Sequence, residues 1–353
     1  MKWSPVYAGG SPERTARPKP LTDDEIRRRR NGRPWLAGGT GLVPVATIVG
    51  ALSLRSIFER DNACRDPYVD RDFEKLGDER RCWVTISGGM ALVVREEGAV
   101  KAPVAMVFAY GFYLRMDSFH FQRKRFGKRW GPQVRMVFYD HCGHVQSSEV
   151  ALDTYTLTQL GQDLRTVLQT VTPHGMIVLV GHSMEGILKS PALEAVRLTS
   201  RSASKLMHRG SIASQSLIGP ILRAASYSDL RVSRGLDAFS QRIMNDTLIA
   251  ILVSFLHALE LHEETAGLWP LLRVPALIAC GDHDLLTSDE RSRGMAAVLP
   301  LLALVIVSGA SRLALLDKPG AINDGLVRLV NRAVPGKAAL RYRRFKERLQ
   351  RHG

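Results

Sequence analysis

VLVGHSMEGILKS, Val178 to Ser190, runs from a stretch of apolar residues into a serine framed by Gly-His on one side and Met-Glu on the other. A buried strand that enters Gly-x-Ser and continues into a helix forms a nucleophile elbow. Its sharp turn lifts the serine hydroxyl out at the carboxyl end of a sheet, at the start of a helix. Small residues flank such a serine because the strand and helix backbones nearly touch. Glu185 stands where the second small residue belongs, so Ser183 has the position of a nucleophile in an incomplete frame.

The surrounding sequence supplies a sheet for that elbow. CWVTISGGMALVVRE, from Cys82, alternates about Gly88-Gly89 and predicts a hairpin. Val104–Ala109, Val134–Tyr139, Met176–Val180, Pro275–Cys280 and Leu304–Val307 are short apolar runs of the kind that form buried strands. Leu157, Leu160, Leu164, Val167, Leu168 and Val171 recur at helical spacing, with Thr156 or Thr158 placed to cap. Strands alternating with helices predict an α/β fold, a mostly parallel sheet with helices on both faces. Residues 191–270 read as almost wholly helical, which predicts a helical lid inserted into that alternation. No β-branched run is read between Val180 and Pro275. The sixth strand of such a sheet is therefore expected to be missing, by an internal deletion of about thirty to forty residues.

The formal charge of +15 lies mostly in the tails. Residues 1–34 carry a net +5 and residues 337–353 a net +6, leaving +4 on the 302 residues between them. Charge placed this way suits a solvated tail or an anionic membrane surface, and nucleic acid is not the expected partner. Trp35 to Leu54 is a twenty-residue uncharged run behind Arg27–Arg30 and Arg33. That is the length of a membrane span with its basic flank on the amino side, while four glycines and Pro44 suit a leader helix packed on the domain equally well. The organisation read from sequence is thus a basic tail to residue 34, a leader or anchor over 35–60, a folded domain over 80–335 and a second basic tail over 336–353. The protein is membrane-associated through residues 35–54, or else cytoplasmic. Four scattered cysteines without a CxxC pair suggest free thiols. Nothing in the sequence suggests a metal site, a phosphate loop or a dinucleotide fingerprint, so no cofactor is expected.

Taken in order, these segments resemble the α/β-hydrolase fold family, in its serine-nucleophile esterase and lipase branch. Ala109–Gln122 is similar to the family's His-Gly oxyanion loop, and Tyr139–Ser148 to its Asp-x-Arg-Gly-x-Gly-x-Ser loop. CGDHDLLT, from Cys280, is similar to the acid loop, and Val307–Pro319 to the loop that presents the catalytic histidine. The resemblance implies Ser183 as nucleophile and Asp284 as the acid. It implies an oxyanion hole from the amides of Met184 and of Gly111 or Phe112. It places the base at Arg312, and there the chain departs from the family.

A guanidinium offers only donors and keeps its charge at any ordinary pH, so Arg312 cannot take a serine proton. The expected alternative is a salt bridge from Arg312 to Asp284. Tyr110 replaces the histidine of the oxyanion loop, and Cys142 and Val145 replace the arginine and a glycine of the next loop. With Glu185 and Arg312 these make five differences, each one base change from the family residue. His182 and His283, next to the serine and acid positions, are the nearest substitutes for the base. The expected function is that of a former serine hydrolase of small apolar acyl substrates, impaired or inactive. The alternative is a non-catalytic scaffold or membrane-tethered binding module.

Overall fold

Gly88 and Gly89 adopt φ of 78° and 74°, a left-handed backbone that a side chain would disfavour. They turn the chain between β1 (Arg80–Thr85) and β2 (Ala91–Glu97), which pair antiparallel with Cys82 opposite Val94. The predicted hairpin is thus present. The structure, a computed structural model, describes residues 66, 68, 70–73, 79–111, 114–148, 156–172, 175–182, 227, 233–245, 271–284 and 289–333.

After the hairpin come β3 (Val104–Ala109), α1 (His120–Trp130), β4 (Val134–Tyr139), α2 (Leu157–Val171) and β5 (Met176–Gly181). The five strands join in the order β1-β2-β4-β3-β5. β2 meets β4 antiparallel, and β3 runs parallel to both β4 and β5. Farther on lie α3 (Arg234–Asn245), β6 (Ala276–Gly281), α4 (Asp289–Val298), β7 (Leu302–Val307), a short turn α5 (Ala314–Asp317) and α6 (Pro319–Ala333). β6 and β7 form a parallel two-stranded ladder. The sheet is therefore mostly parallel, as the alternation predicts. All five predicted inner strands agree with the structure to within about two residues, the usual uncertainty of an element's end. β7 begins two residues before its prediction.

Period-two alternation sorts the strand residues onto two faces. Met106, Phe108, Met136, Phe138, Val178 and Val180 point to one, where Phe126 and Trp130 of α1 and Leu326 and Val330 of α6 cover them. Val94, Val107, Val137 and Tyr139 point to the other, against Val167 and Val171 of α2. Helices thus lie on both faces. α2 starts where expected, with Thr156 as N-cap accepting from the Gln159 amide at 3.1 Å.

The β6–β7 ladder is tied to the larger sheet through α6 and α1. Arg332 donates to the Ala276 carbonyl at 3.1 Å, Gln122 of α1 donates to the Leu315 carbonyl at 3.1 Å, and Arg125 faces Asp324 at 3.7 Å. Among the described residues β5 has one ladder partner, β3, and Met176, Ile177 and Leu179 are exposed. The residues between Val180 and Pro275, where the sixth strand is expected to be missing, lie largely outside the described residues, as does most of the expected lid. α3 lies within the residues expected to form that lid. Its first turn is held by Ser233, whose hydroxyl accepts from the Leu236 amide at 3.2 Å, and by Asp66, which accepts from Ser233 Oγ at 2.6 Å and from the Gly235 amide at 3.0 Å. Phe73 stacks on Phe239 of α3 at 4.5 Å and accepts at its carbonyl from the His120 ring at 2.8 Å.

The two basic tails and residues 35–54 lie outside the described residues. Among the described residues no helix is long and apolar enough to cross a membrane.

Candidate functional site

Two loops meet at the carboxyl ends of β6 and β7. Gly281 closes β6 so tightly against the next loop that a Cβ there would lie 2.1 Å from the Ala310 carbonyl oxygen and 2.7 Å from that of Ser311. The contact is completed by backbone bonds from Asp282 N to Val307 O at 3.2 Å and from His283 N to Ala310 O at 3.0 Å. Asp282 also accepts from the Gly309 amide at 2.8 Å. Of the two aspartates in this loop, Asp282 is thus engaged in holding it together. Asp284 is the one whose charge reaches Arg312 and His182.

The 311–317 loop is folded around one hydroxyl. Ser311 donates from Oγ to Asp317 at 2.6 Å and from its amide to the same oxygen at 3.0 Å, and its Oγ accepts from the Leu313 amide at 3.3 Å. Arg312 is held between these anchors, 5% exposed. Burial pulls its pKa down to about 10, against the raising effect of Asp284. It remains a cation at neutral pH and has no lone pair for a proton. The expected salt bridge needs correcting. Asp284 acts on the guanidinium through space, while Nη1 and Nη2 of Arg312 have no hydrogen-bond partner among the described residues. The short segment that fixes Arg312 is anchored on Ser311 and Asp317, which leaves its fork unengaged.

Beyond the end of β5, His182 returns to this loop. Its amide donates to the Ala109 carbonyl at 3.1 Å, continuing the β3–β5 ladder, and its ring bonds through Nε2 to the Arg312 carbonyl oxygen at 3.0 Å. A carbonyl only accepts, so the proton is on Nε2 and Nδ1 carries the lone pair. That Nδ1 is out of contact with solvent and has no partner among the described residues. Burial, with the Arg312 charge beside it, pulls the His182 pKa down to about 4. His182 is therefore a neutral strut to the position where the base is expected. Its sequence signal is weak, since the acceptor is a backbone atom 130 residues away.

The remaining predicted residues divide. Gly111 is buried, and its carbonyl accepts from the Leu114 amide at 3.3 Å. Phe112, Ser183, Met184 and Glu185 lie outside the described residues. Asp284, Arg312 and His182 are brought together. The His283 side chain is exposed.

Two of the loop substitutions have structural partners, and a third carries strain. Tyr110, at the oxyanion-loop position, accepts at its hydroxyl from the His141 amide at 2.8 Å, and its carbonyl binds His141 Nε2 at 3.0 Å. Cys142 is buried in the core beside Tyr139. Val145 has φ of 49°, the one non-glycine residue with positive φ among the described residues. A β-branched side chain is poorly tolerated in that backbone. Between these positions Asp140 accepts from the Met116 amide at 3.2 Å. Burial lifts its pKa to about 7, with Asp117 raising it further and Arg95 and Arg115 opposing.

No protein-family model matches the chain, and no curated protein sequence matches it. Solved structures do. A thermophilic esterase from Thermogutta terrifontis superposes with a TM-score of 0.59 at 18% identity, over 72% of this chain and 99% of the esterase. A hydrolase from Pseudomonas aeruginosa gives 0.59 at 17% identity, over 73% and 100%. An enol-lactonase from Burkholderia xenovorans gives 0.55 at 18%, over 70% and 99%. An epoxide hydrolase from Vigna radiata also superposes, so the shared feature is architecture and not one reaction. The chain has the α/β-hydrolase fold.

Proposed function

We propose that this protein is an α/β-hydrolase scaffold derived from a serine hydrolase of small acyl substrates, in which Ser183 is no longer activated and the cleft binds a ligand without turning it over. One observation carries the reading: the position expected to supply the base holds a buried guanidinium that stays charged under the influence of Asp284. Serine attack needs a group that removes the hydroxyl proton, and a positioned general base contributes roughly 10²–10⁴-fold to the rate. Arg312 cannot serve. His182 presents only Nδ1, on a ring whose pKa is near 4, which makes it a poor base at neutral pH.

Tyr110, where the family resemblance implies a histidine, and Val145, at a positive φ where it implies a glycine, support the same reading. The test is hydrolysis of 4-nitrophenyl esters of short acids. Wild type is expected to match Ser183→Ala, and Arg312→His to exceed both. Turnover by wild type well above Ser183→Ala contradicts the reading.

A further inference from the structure

Four arginines are buried among the described residues, and three of them are neutralised by contact. Arg115 Nε lies 2.8 Å from Asp117, Arg123 Nε 2.5 Å from Glu97, and Arg135 Nη2 2.7 Å from Glu96. Arg312 is as buried as these but takes part in no such ion pair among the described residues, and both of its terminal nitrogens lack a hydrogen-bond partner there. A desolvated guanidinium is tolerated where its donors are used, and two orphaned donors on one planar fork match the two oxygens of a carboxylate. Its neighbours do not compete for the fork. His182 engages the backbone carbonyl of Arg312 and not the side chain, and Asp284 contributes attraction without a hydrogen bond to either Nη.

We propose that Arg312 anchors a carboxylate-binding site at the former catalytic position, so that the ligand of this protein is a small organic acid held by the guanidinium fork. The proposal rests on reading the cleft as non-catalytic. An ester would offer one weakly accepting carbonyl where a carboxylate offers two charged acceptors. Asp284 keeps the empty site from carrying an uncompensated charge, and the acid then completes the hydrogen bonds that Asp284 leaves open.

The test is calorimetric titration of the full chain with hexanoate and, in parallel, with methyl hexanoate. Hexanoate is expected to bind with Kd below about 1 mM, and the ester at least about tenfold more weakly, as befits the loss of a charge-assisted pair of hydrogen bonds. Arg312→Met, which keeps an unbranched apolar stem, is expected to fold and to bind acid and ester alike. Arg312→Lys keeps the charge without the fork and is expected to weaken hexanoate by roughly tenfold. Equal binding of acid and ester by wild type, undiminished hexanoate binding by Arg312→Met, or no hexanoate binding up to about 10 mM would each overturn the site. Ester turnover by wild type would instead overturn the non-catalytic reading beneath it. Absence of both turnover and hexanoate binding would remove the carboxylate site alone.

Discussion

The ring of His182 and the backbone of Arg312 are joined by one hydrogen bond, Nε2 to carbonyl oxygen at 3.0 Å, between the end of β5 and the loop after β7. Because the acceptor is a main-chain atom, the bond is indifferent to the side chain at position 312. His182→Ala is expected to lower stability by about 1–2 kcal/mol, since it leaves a carbonyl without its donor. Arg312→His is expected to keep the bond. Urea unfolding of the two variants reads this difference directly.

Val145 is expected to be a site where glycine improves the protein. A β-branched residue in the left-handed region costs about 1–2 kcal/mol, and relief of that cost outweighs the added freedom of glycine in the unfolded chain. Val145→Gly should therefore raise the melting temperature, whereas Val145→Ala should gain less because it retains a Cβ.

Gly281 admits no side chain. A Cβ 2.1 Å from the Ala310 carbonyl oxygen can be accommodated only by moving the loop that carries Arg312. Gly281→Ala is expected to cost about 3 kcal/mol, by the overpacking of a close backbone contact. It should also weaken whatever binds at Arg312 by more than His182→Ala does.

Acid should destabilise the fold through its histidines. Burial lowers His141 to about 3, His144 to about 4 and His182 to about 4, and lowers His120 as well. These rings stay neutral in the folded chain and take up protons on unfolding, so their stabilisation is present above about pH 6.5 and is lost as pH falls toward 4. Asp140, lifted to about 7, and Asp163, also raised by burial, act in the opposite sense. Their contribution is present at low pH and, for Asp140, is lost as pH rises through about 7. Four imidazoles outweigh two carboxyls, so unfolding free energy should fall between pH 6.5 and 4. Asp140→Asn should steepen that fall, because it removes a contribution that opposes the histidines over the same range, and denaturant titrations of both proteins across about pH 4 to 7 check it.

Much of the architecture was readable in the sequence because burial on both faces writes itself as uninterrupted apolar runs. Val104–Ala109 and Val134–Tyr139 are strands with the predicted bounds, and Leu157–Val171 is a helix with Thr156 as its cap. The candidate site was readable in part. The positions of Asp284 and Arg312 followed from loop order, but side-chain charge alone gives no distance, and the expected salt bridge proved to be an attraction without hydrogen bonds to the fork. The strut from His182 was hidden for another reason. A ring that binds a distant backbone carbonyl leaves no pattern in either segment. At Val145 the substitution was visible, while the persistence of a positive φ beneath it is a property of the folded loop.

Labelling of purified protein with a fluorophosphonate probe tests the central claim most directly, with circular dichroism to establish that each variant is folded. The account predicts no labelling of wild type beyond that of Ser183→Ala, and labelling of Arg312→His faster by roughly tenfold or more, on the scale of a restored general base. Rapid labelling of wild type that disappears in Ser183→Ala would contradict it, because the serine would then be activated by a base other than the residue at position 312.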